Sequence, residues 1–279
     1  MIQESHLDLV SKYYGTRDLE TRLLVGGRSN VNIHVMETGQ VVRVPGTGAA
    51  DRPSEGANIA ALTVCETPLP VAKYSLYVVN DRNVLPVDDS HDYSGFPTGF
   101  AVMDFLKGVS LTGELFKDPK VQEAVARAYW TIHSSGVEFV NPASPFIEIG
   151  VYQKIIANQN TGYLPNDILQ ILQHMGDLSI SLKESWIKAP RLSFGYPKLL
   201  HADPEFPNYI IADKANILDW EYGGRSKDWL YDVAGLLAEN AHEIEPDTAH
   251  SWLDTVSRQY GIKVNPVAIK QRSFANLLV

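Results

Sequence analysis

Between His201 and Tyr222 the chain reads HADPEFPNYIIADKANILDWEY, and three residues in it could do chemistry together: Asp203, Asn208 and Asp219. Asn208 follows Asp203 by five residues, and Asp219 ends the next strand-like run. Residues 209–211 and 217–218 read as a hairpin around 212–215, and a loop–strand–turn–strand unit of this kind can bring all three side chains to one cleft. The chemistry that suits such a set is phosphoryl transfer. It needs little covalent help, but it does need in-line positioning, charge neutralisation by Mg²⁺ and a carboxylate to take a hydroxyl proton. Because Mg²⁺ prefers oxygen ligands, Asn208 and Asp219 are the expected metal ligands. Asp203 is then the expected catalytic base. Taken singly, Asp203 and Asn208 suit a turn equally well. His201 is expected to bond backbone near Asp219 rather than to bind a metal.

The elements that must position these residues follow from pattern. Residues 22–25 read as a strand that stops at Gly26-Gly27; alternation resumes over 31–35, and Thr38-Gly39-Gln40 turns the chain into a strand over 41–44. Pro45-Gly46 ends that strand. An Ala-rich stretch, 54–64, reads as a helix. A strand over 71–79, a polar loop over 80–97 and a buried strand over 100–106 follow, ending at Lys107-Gly108. Beyond this point the period is helical. Val121, Val125, Ala128 and Ile132 form one stripe, and Ile168, Ile171, Leu172, Met175, Leu178 and Leu182 another. A short strand at 199–200 leads into the hairpin, and helices are expected over 229–240, 247–260 and 266–277. The fold class predicted is α+β in two lobes: a β-rich lobe over 1–106 and a larger, mostly helical lobe over 107–279.

Composition narrows the function classes. The chain is 279 residues long, 44% hydrophobic and 20% charged, with a formal charge of −9. That is ordinary globular composition. The acidic balance, without any run of basic residues, argues against nucleic acid or an anionic membrane surface as partner. A lone cysteine, Cys65, cannot form an internal disulfide and fits a reducing cytosol, so a cytoplasmic location is expected. No signal-peptide pattern opens the chain, and no apolar run is long enough to span a bilayer. A Walker A loop, a Gly-x-Ser-x-Gly elbow and a cysteine-based zinc site are all absent. The run Asp88-Asp89-Ser90-His91-Asp92 reads as a solvated acidic loop.

An HxDxxxxN pattern followed by a strand-borne Asp resembles the protein-kinase-like fold, in the branch that holds aminoglycoside phosphotransferases and choline or ethanolamine kinases. The order of further motifs agrees. Gly26-Gly27-Arg28-Ser29-Asn30 resembles that branch's GG-x-[ST]-N nucleotide loop, Arg43-Val44-Pro45-Gly46 its R-I-P-G, and Asp51-Arg52, Glu55 and Asn58 its D-R-x-x-E-x-x-N. Asp219 to Tyr222 resembles its metal-binding Asp and the aromatic-Glu-Tyr that follows, and Asp232-Val233-Ala234-Gly235 with Glu239 its D-I-G-N…E. The resemblance runs from about Leu24 to about Gly261. It implies an ATP- and Mg²⁺-dependent kinase. Gly26, Gly27, Ser29 and Asn30 would cradle phosphates, since glycines admit close backbone approach and successive N–H groups bind an anion. Arg43, held by Glu55, would contact the α/β-phosphates. Adenine would lie against Met103, Asp104 and Leu106. Without the resemblance, Gly26-Gly27 is an ordinary turn and Arg43/Glu55 a surface ion pair. Two departures stand out: Ala202 occupies a position where these kinases carry Asn or Gly, and the proline of the usual D-[LV]-x-P-x-N is displaced to Pro204.

The acceptor is read from aromatic and acidic residues after Asp219. A quaternary ammonium is held well by aromatic faces beside a carboxylate. Trp220, Glu221, Tyr222, Asp232 and Glu239 offer that chemistry, although Trp220 and Tyr222 are each as natural in a core. The expected substrate is a small cationic alcohol, choline or ethanolamine. An aminoglycoside, or a kinase-shaped binding protein without turnover, is the alternative.

Overall fold

A computed structural model of the chain describes residues 4–24, 30–45, 61–62, 69–71, 74–80, 83–86, 99–137, 198–220, 222–226 and 228–276. Among these, helix α1 (Glu4–Tyr14) precedes a six-stranded antiparallel sheet built from β1 (Thr21–Leu24), β2 (Asn30–Val35), β3 (Gln40–Pro45), β4 (Tyr74–Asn80), β5 (Asn83–Pro86) and β6 (Gly99–Asp104). The strand order is β1-β2-β3-β6-β4-β5. Period-2 alternation decides what each face of this sheet meets. On β6, Phe100 and Val102 pack with Ile33, Val35 and Val42 around Val10 of α1. The intervening Ala101 and Met103, with Val41 of β3, face the other way and join the core of the helical lobe. Arg43 alternates with Val42, so it shares the face of Val41, and its register partner Asn32 lies on that face too. The strand that carries Arg43 is therefore obliged to aim it at the second lobe.

Gly108 marks the passage between lobes. A Cβ placed there would stand 2.5 Å from the Ile211 carbonyl oxygen, so only glycine lets the chain cross so close to the next strand. Beyond it come β7 (Val109–Ser110), α2 (Gly113–Phe116) and α3 (Pro119–Ser134). Asp118 caps α3, its carboxylate accepting from the Lys120 amide at 2.9 Å. The stripe Val125, Ala128, Tyr129 and Ile132 is buried. Later elements are β8 (Lys198–Leu200), β9 (Tyr209–Ile211), β10 (Ala215–Ile217), β11 (Gly224–Ser226), α4 (Leu230–Glu239), α5 (Pro246–Tyr260) and α6 (Pro266–Asn276). Gly261 stops α5 at φ +67°. Trp220, Trp229 and Trp252 are wholly buried here. Arg272 of α6 is fixed by Asp228, both Asp228 oxygens lying 2.8 Å from its Nε.

Most expected elements are present within a residue or two, in two lobes of α+β character. Three details differ. Helix α1 was not expected; its residues Val10, Tyr13 and Tyr14 pack on the outer sheet face, Tyr14 donating to Gln40 at 2.9 Å. The stretch 80–97 contains β5, which pairs with β4 from Asn83↔Asn80 to Pro86↔Tyr77. Strands β7 and β11 escaped notice because two or three residues carry no period. The helix over 168–182 and nearly all of that over 54–64 lie outside the described residues. No helix among the described residues is long and apolar enough to cross a membrane.

Candidate active site

The hairpin β9–β10 pairs Ile217 with Tyr209 and Ala215 with Ile211. At its open end the Leu218 amide donates to the Asn208 carbonyl at 2.8 Å, which sets Asp219 beside Asn208. Asn208 closes a single 3₁₀ turn, Phe206–Asn208. Its amide nitrogen donates both to the Asp203 carbonyl and to Asp203 Oδ2, each at 3.0 Å. Spending Nδ2 on Asp203 leaves Asn208 Oδ1 as the oxygen available to a cation. The displaced proline does not open this loop. Buried Asn240 donates to the Pro204 carbonyl and accepts from the Phe206 amide, both at 2.9 Å, and so holds the backbone on either side of Glu205.

His201 is fully buried, with Nε2 2.6 Å from the Leu218 carbonyl and 2.8 Å from that of Asp219. Carbonyls only accept, so the partners assign the ring hydrogen to Nε2. His201 is thus a backbone clamp on the strand end, as its sequence setting suggested. Among the described residues two that are not glycine adopt left-handed backbone, Ala202 at φ +62° and Asp219 at φ +59°. They flank the clamp, Ala202 just after β8 and Asp219 just after β10, and such conformations concentrate where function holds them.

From the sheet lobe, Arg43 Nη2 reaches Asp219 Oδ1 at 2.8 Å. With the Asn30 amide turned so that its oxygen faces the guanidinium, Oδ1 accepts from Arg43 Nε at 3.1 Å. Asn30, Arg43 and Asp219 therefore form one polar string across the two lobes. Arg43 is buried, its side chain 7% exposed against 32% for Asp219.

Carboxylates crowd this place. Burial raises the pKa of Asp203; the His201 ring pulls it down, the charges of Asp219 and Glu205 push it up, and the Asn208 hydrogen bond lowers it, with a net rise. Glu239, at the end of α4, is exposed as a residue, yet desolvation of its carboxyl and the charges of Asp203 and Glu205 raise it to about 7. Asp203, Glu205 and Glu239 therefore feel one another.

The expected metal ligands suit a hard cation. Asn208 and Asp219 offer an amide and a carboxylate oxygen, the kind of partial set that Mg²⁺ accepts when phosphates and water complete its shell. Among the described residues no group of three or more His, Cys, Asp and Glu forms a ready cage.

Other expected site residues fall in several places. Met103 is buried on β6, Asp104 ends that strand, and Leu106 is half-buried in the passage between lobes. Tyr222 is exposed. Two expected substrate contacts are corrected. Trp220 is 1% exposed and donates to the Ile217 carbonyl at 3.2 Å, a core residue under the hairpin. Asp232 is fully buried, and its two oxygens are taken by the amides of His201 and Ala202 and by His133. It holds the loop of Asp203 from behind and has no surface to offer a substrate. Gly26, Gly27, Ser29, Glu55 and Glu221 lie outside the described residues. Sequence reasoning missed His133 and Asn240. His133 stands on the buried face of α3, and Asn240 ends α4 beside buried Leu236 and Ala238; a polar residue among apolar ones is the signal of a buried group with a structural partner.

No protein-family model matches the sequence, and a search of curated proteins finds no match. The similarity is in the fold. The choline kinase LicA from Streptococcus pneumoniae superposes with a TM-score of 0.64 at 20% identity, over 97% of this chain and 86% of that one. An ethanolamine kinase from Plasmodium vivax gives 0.66 at 16% identity, over 98% and 81%. An aminoglycoside phosphotransferase, solved with GDP and kanamycin, gives 0.64 at 16% identity, over 99% and 88%. The likeness is one of overall architecture, and this chain has the two-lobed kinase-like fold shared by choline/ethanolamine kinases and aminoglycoside phosphotransferases.

Proposed function

We propose that the chain is an ATP- and Mg²⁺-dependent phosphotransferase acting on a hydroxyl of a small cationic molecule, with choline or ethanolamine first. The observation that carries this reading is the meeting of Asp203, Asn208 and Asp219 at the hairpin end, with Arg43 brought over Asp219 from the sheet. In this reading residues 1–106 form the nucleotide lobe and 107–279 the catalytic lobe of a cytoplasmic enzyme.

Each residue has a role its chemistry suits. Asp203 takes the proton of the acceptor hydroxyl, and its raised pKa makes it a better acceptor at neutral pH. Asn208 orients Asp203 through Nδ2 and keeps Oδ1 for the cation. Asp219 shares the cation, which neutralises the phosphate charge when bound. Arg43 leaves Asp219 for the phosphates, a move between two anions that keeps its charge compensated. Gly26, Gly27, Ser29 and Asn30 line the phosphate side, Met103, Asp104 and Leu106 the adenine side. Glu55 is assigned to hold Arg43 by the sequence resemblance alone. On the acceptor side Glu239, Glu221 and Tyr222 receive the cation; the mutual repulsion of Asp203, Glu205 and Glu239 is relieved by a positive charge among them.

The test is ADP release coupled to a spectrophotometric readout, with choline, ethanolamine, thiamine and kanamycin offered separately. Turnover on an amino alcohol supports the proposal. Kanamycin turnover alone moves the acceptor to aminoglycosides, a reading favoured by the kanamycin-bound neighbour. Nucleotide binding without turnover on any acceptor identifies a binding protein, a reading favoured by the Arg43 grip on Asp219.

A further inference from the structure

The loop that carries Asp203 and Asn208 contains two prolines, Pro204 and Pro207, and proline has no N–H to give a neighbouring segment. One side chain supplies the partner this loop needs. Asn240, which follows Glu239 at the end of α4, is 3% exposed. Its Nδ2 donates to the Pro204 carbonyl at 2.9 Å and to the Leu236 carbonyl at 2.8 Å. Its Oδ1 accepts from the Phe206 amide at 2.9 Å. Two carbonyls face the nitrogen and one N–H faces the oxygen, so the partners fix which end of the amide is which.

The carbonyl of one residue and the N–H two residues on are what an extended chain offers to a parallel neighbour. Asn240 stands in for that neighbour, and Glu205, between the two contacts, is extended at φ −65° and ψ 139°. The Glu205 carbonyl then accepts from the Asn208 amide at 3.0 Å and closes the turn that ends at Asn208. Beneath the clip the Phe206 ring packs on Phe116 at 5.2 Å. The third contact ties the clip to the helix, since the Leu236 carbonyl is among the last four of α4 and has no partner further along it. One buried amide therefore closes the end of α4 and holds the backbone one residue after Asp203. Glu239 is its neighbour on that helix end. The charges of Asp203 and Glu205 help to raise the Glu239 carboxyl to about 7, so helix end and loop act on each other at close range.

We propose that Asn240 is a positioning residue that holds the proposed base and the acceptor-side carboxylate in one frame: its amide fixes the loop of Asp203 to the end of α4, where Glu239 stands. With an apolar group in its place the Pro204 carbonyl and the Phe206 N–H lose their partner together, and loop and helix end shift independently. Small errors of placement are costly in a reaction that depends on alignment, at about 100-fold in rate for an error of about 1 Å. The kinetic part of this inference rests on the phosphotransferase reading; the contacts of the clip stand without it.

The test compares Asn240→Leu and Asn240→Asp in the full chain. Leucine keeps the branched shape and removes all three contacts. Aspartate keeps an acceptor for the Phe206 amide and loses the donor to the Pro204 carbonyl. Asn240→Ser, too short to span both loop contacts, takes the place of leucine should that variant not fold. The readouts are hydrogen exchange of the Phe206 amide, kcat and acceptor KM, and Kd for ADP. Expected in Asn240→Leu is a gain of roughly tenfold or more in exchange at Phe206. There kcat/KM for the acceptor falls by about 100-fold, shared between kcat and KM, while Kd for ADP moves less than about twofold. In Asn240→Asp the Phe206 amide stays protected and the loss of kcat/KM is smaller. Unchanged exchange or unchanged kcat/KM in a folded Asn240→Leu overturns the proposal. So does a loss matched by an equal loss of ADP affinity, as a merely structural role would give, or a loss larger in aspartate than in leucine, which is an effect of charge. Wild-type protein without turnover overturns the phosphotransferase reading instead, and exchange at Phe206 then decides whether Asn240 holds the loop.

Discussion

Arg43 and Asp219 meet across the two lobes at 2.8 Å, 176 residues apart in sequence. The contact joins the expected phosphate-binding cation to the expected metal ligand, so nucleotide and metal must share these two groups or part them. Arg43→Met should raise Kd for Mg-ADP by about 10- to 100-fold, the worth of a charge-assisted hydrogen bond. Asp219→Ala should act differently: ADP still binds, but Mg²⁺ no longer tightens it. Calorimetric titration of ADP with and without Mg²⁺ separates the two. An Asp219→Ala protein whose Kd still responds to Mg²⁺ as wild type does would remove Asp219 from the metal site.

Asp203, the proposed base, is oriented by Asn208, whose amide reaches both its carbonyl and its carboxylate at 3.0 Å. Asp203→Ala should lower kcat by about 10²- to 10⁴-fold, the usual worth of a positioned proton acceptor. ADP affinity should change little, since the phosphate-side cation Arg43 is anchored on Asn30 and Asp219. The split between kcat and Kd is the measurement. Turnover equal to wild type would exclude Asp203 as base.

The meeting of Asp203, Asn208 and Asp219 was legible because the side chains sit on short-range scaffolding. The Asp203–Asn208 spacing is one turn and the Asn208–Asp219 spacing one hairpin, and both follow from local pattern. Arg43 was legible as a cation on a strand, and strand alternation fixes its face; its partner across the lobes depends on how two cores dock, which no local pattern encodes. Asp232 was misread for a related reason. Residue type marks it as acidic, but burial depends on its neighbours. Leu230, Tyr231, Val233, Ala234 and Leu236 are all buried around it. A helix apolar all round lies inside the protein, so its lone acid must find partners there. That signal was present and the aromatic-acid resemblance outweighed it. Helix α1 was missed in the same way: its stripe is thin, and it gains its place by packing on the sheet around Phe100 and Val102.

Glu239 supplies a pH test. Its carboxyl titrates near 4.5 ordinarily and at about 7 in the fold, so the folded chain holds this proton more tightly than the unfolded one. Below about pH 4.5 both states are protonated and the residue costs nothing. As pH rises from 4.5 towards 7 the unfolded chain ionises first, and the fold loses stability; above 7 the loss is complete. Glu239→Gln removes the effect. The variant and wild type should melt together near pH 4.5, and the variant should melt higher at pH 8. Solvent around this exposed residue limits the gain to about 1 kcal/mol at most. Thermal melts across that window check the sign, and equal melting at pH 8 would contradict the crowding of Glu239 by Asp203 and Glu205. A cationic acceptor should narrow the gap, because it stabilises the ionised carboxylate.

Ala202 supplies the last test, and it sets stability against catalysis. At φ +62° its Cβ costs about 1–2 kcal/mol relative to right-handed backbone. Glycine would remove that cost, but it would add about 0.5–1 kcal/mol of chain entropy to the unfolded state. Ala202→Gly should therefore be neutral to slightly stabilising, by about 1 kcal/mol or a Tm rise of about 2 °C at most. Ala202→Val, with a branched carbon in the same conformation, should melt lower and lose turnover. The kinetic outcome for glycine depends on who holds the loop. The Asp232 grip acts on the amides of His201 and Ala202, which glycine keeps, so kcat should stay within about threefold of wild type. Were the alanine methyl itself to wedge Asp203 into place, glycine would cost far more than that at unchanged stability. The comparison of kcat and Tm across the three side chains at one position thus reads out whether the backbone or the side chain of residue 202 presents the base.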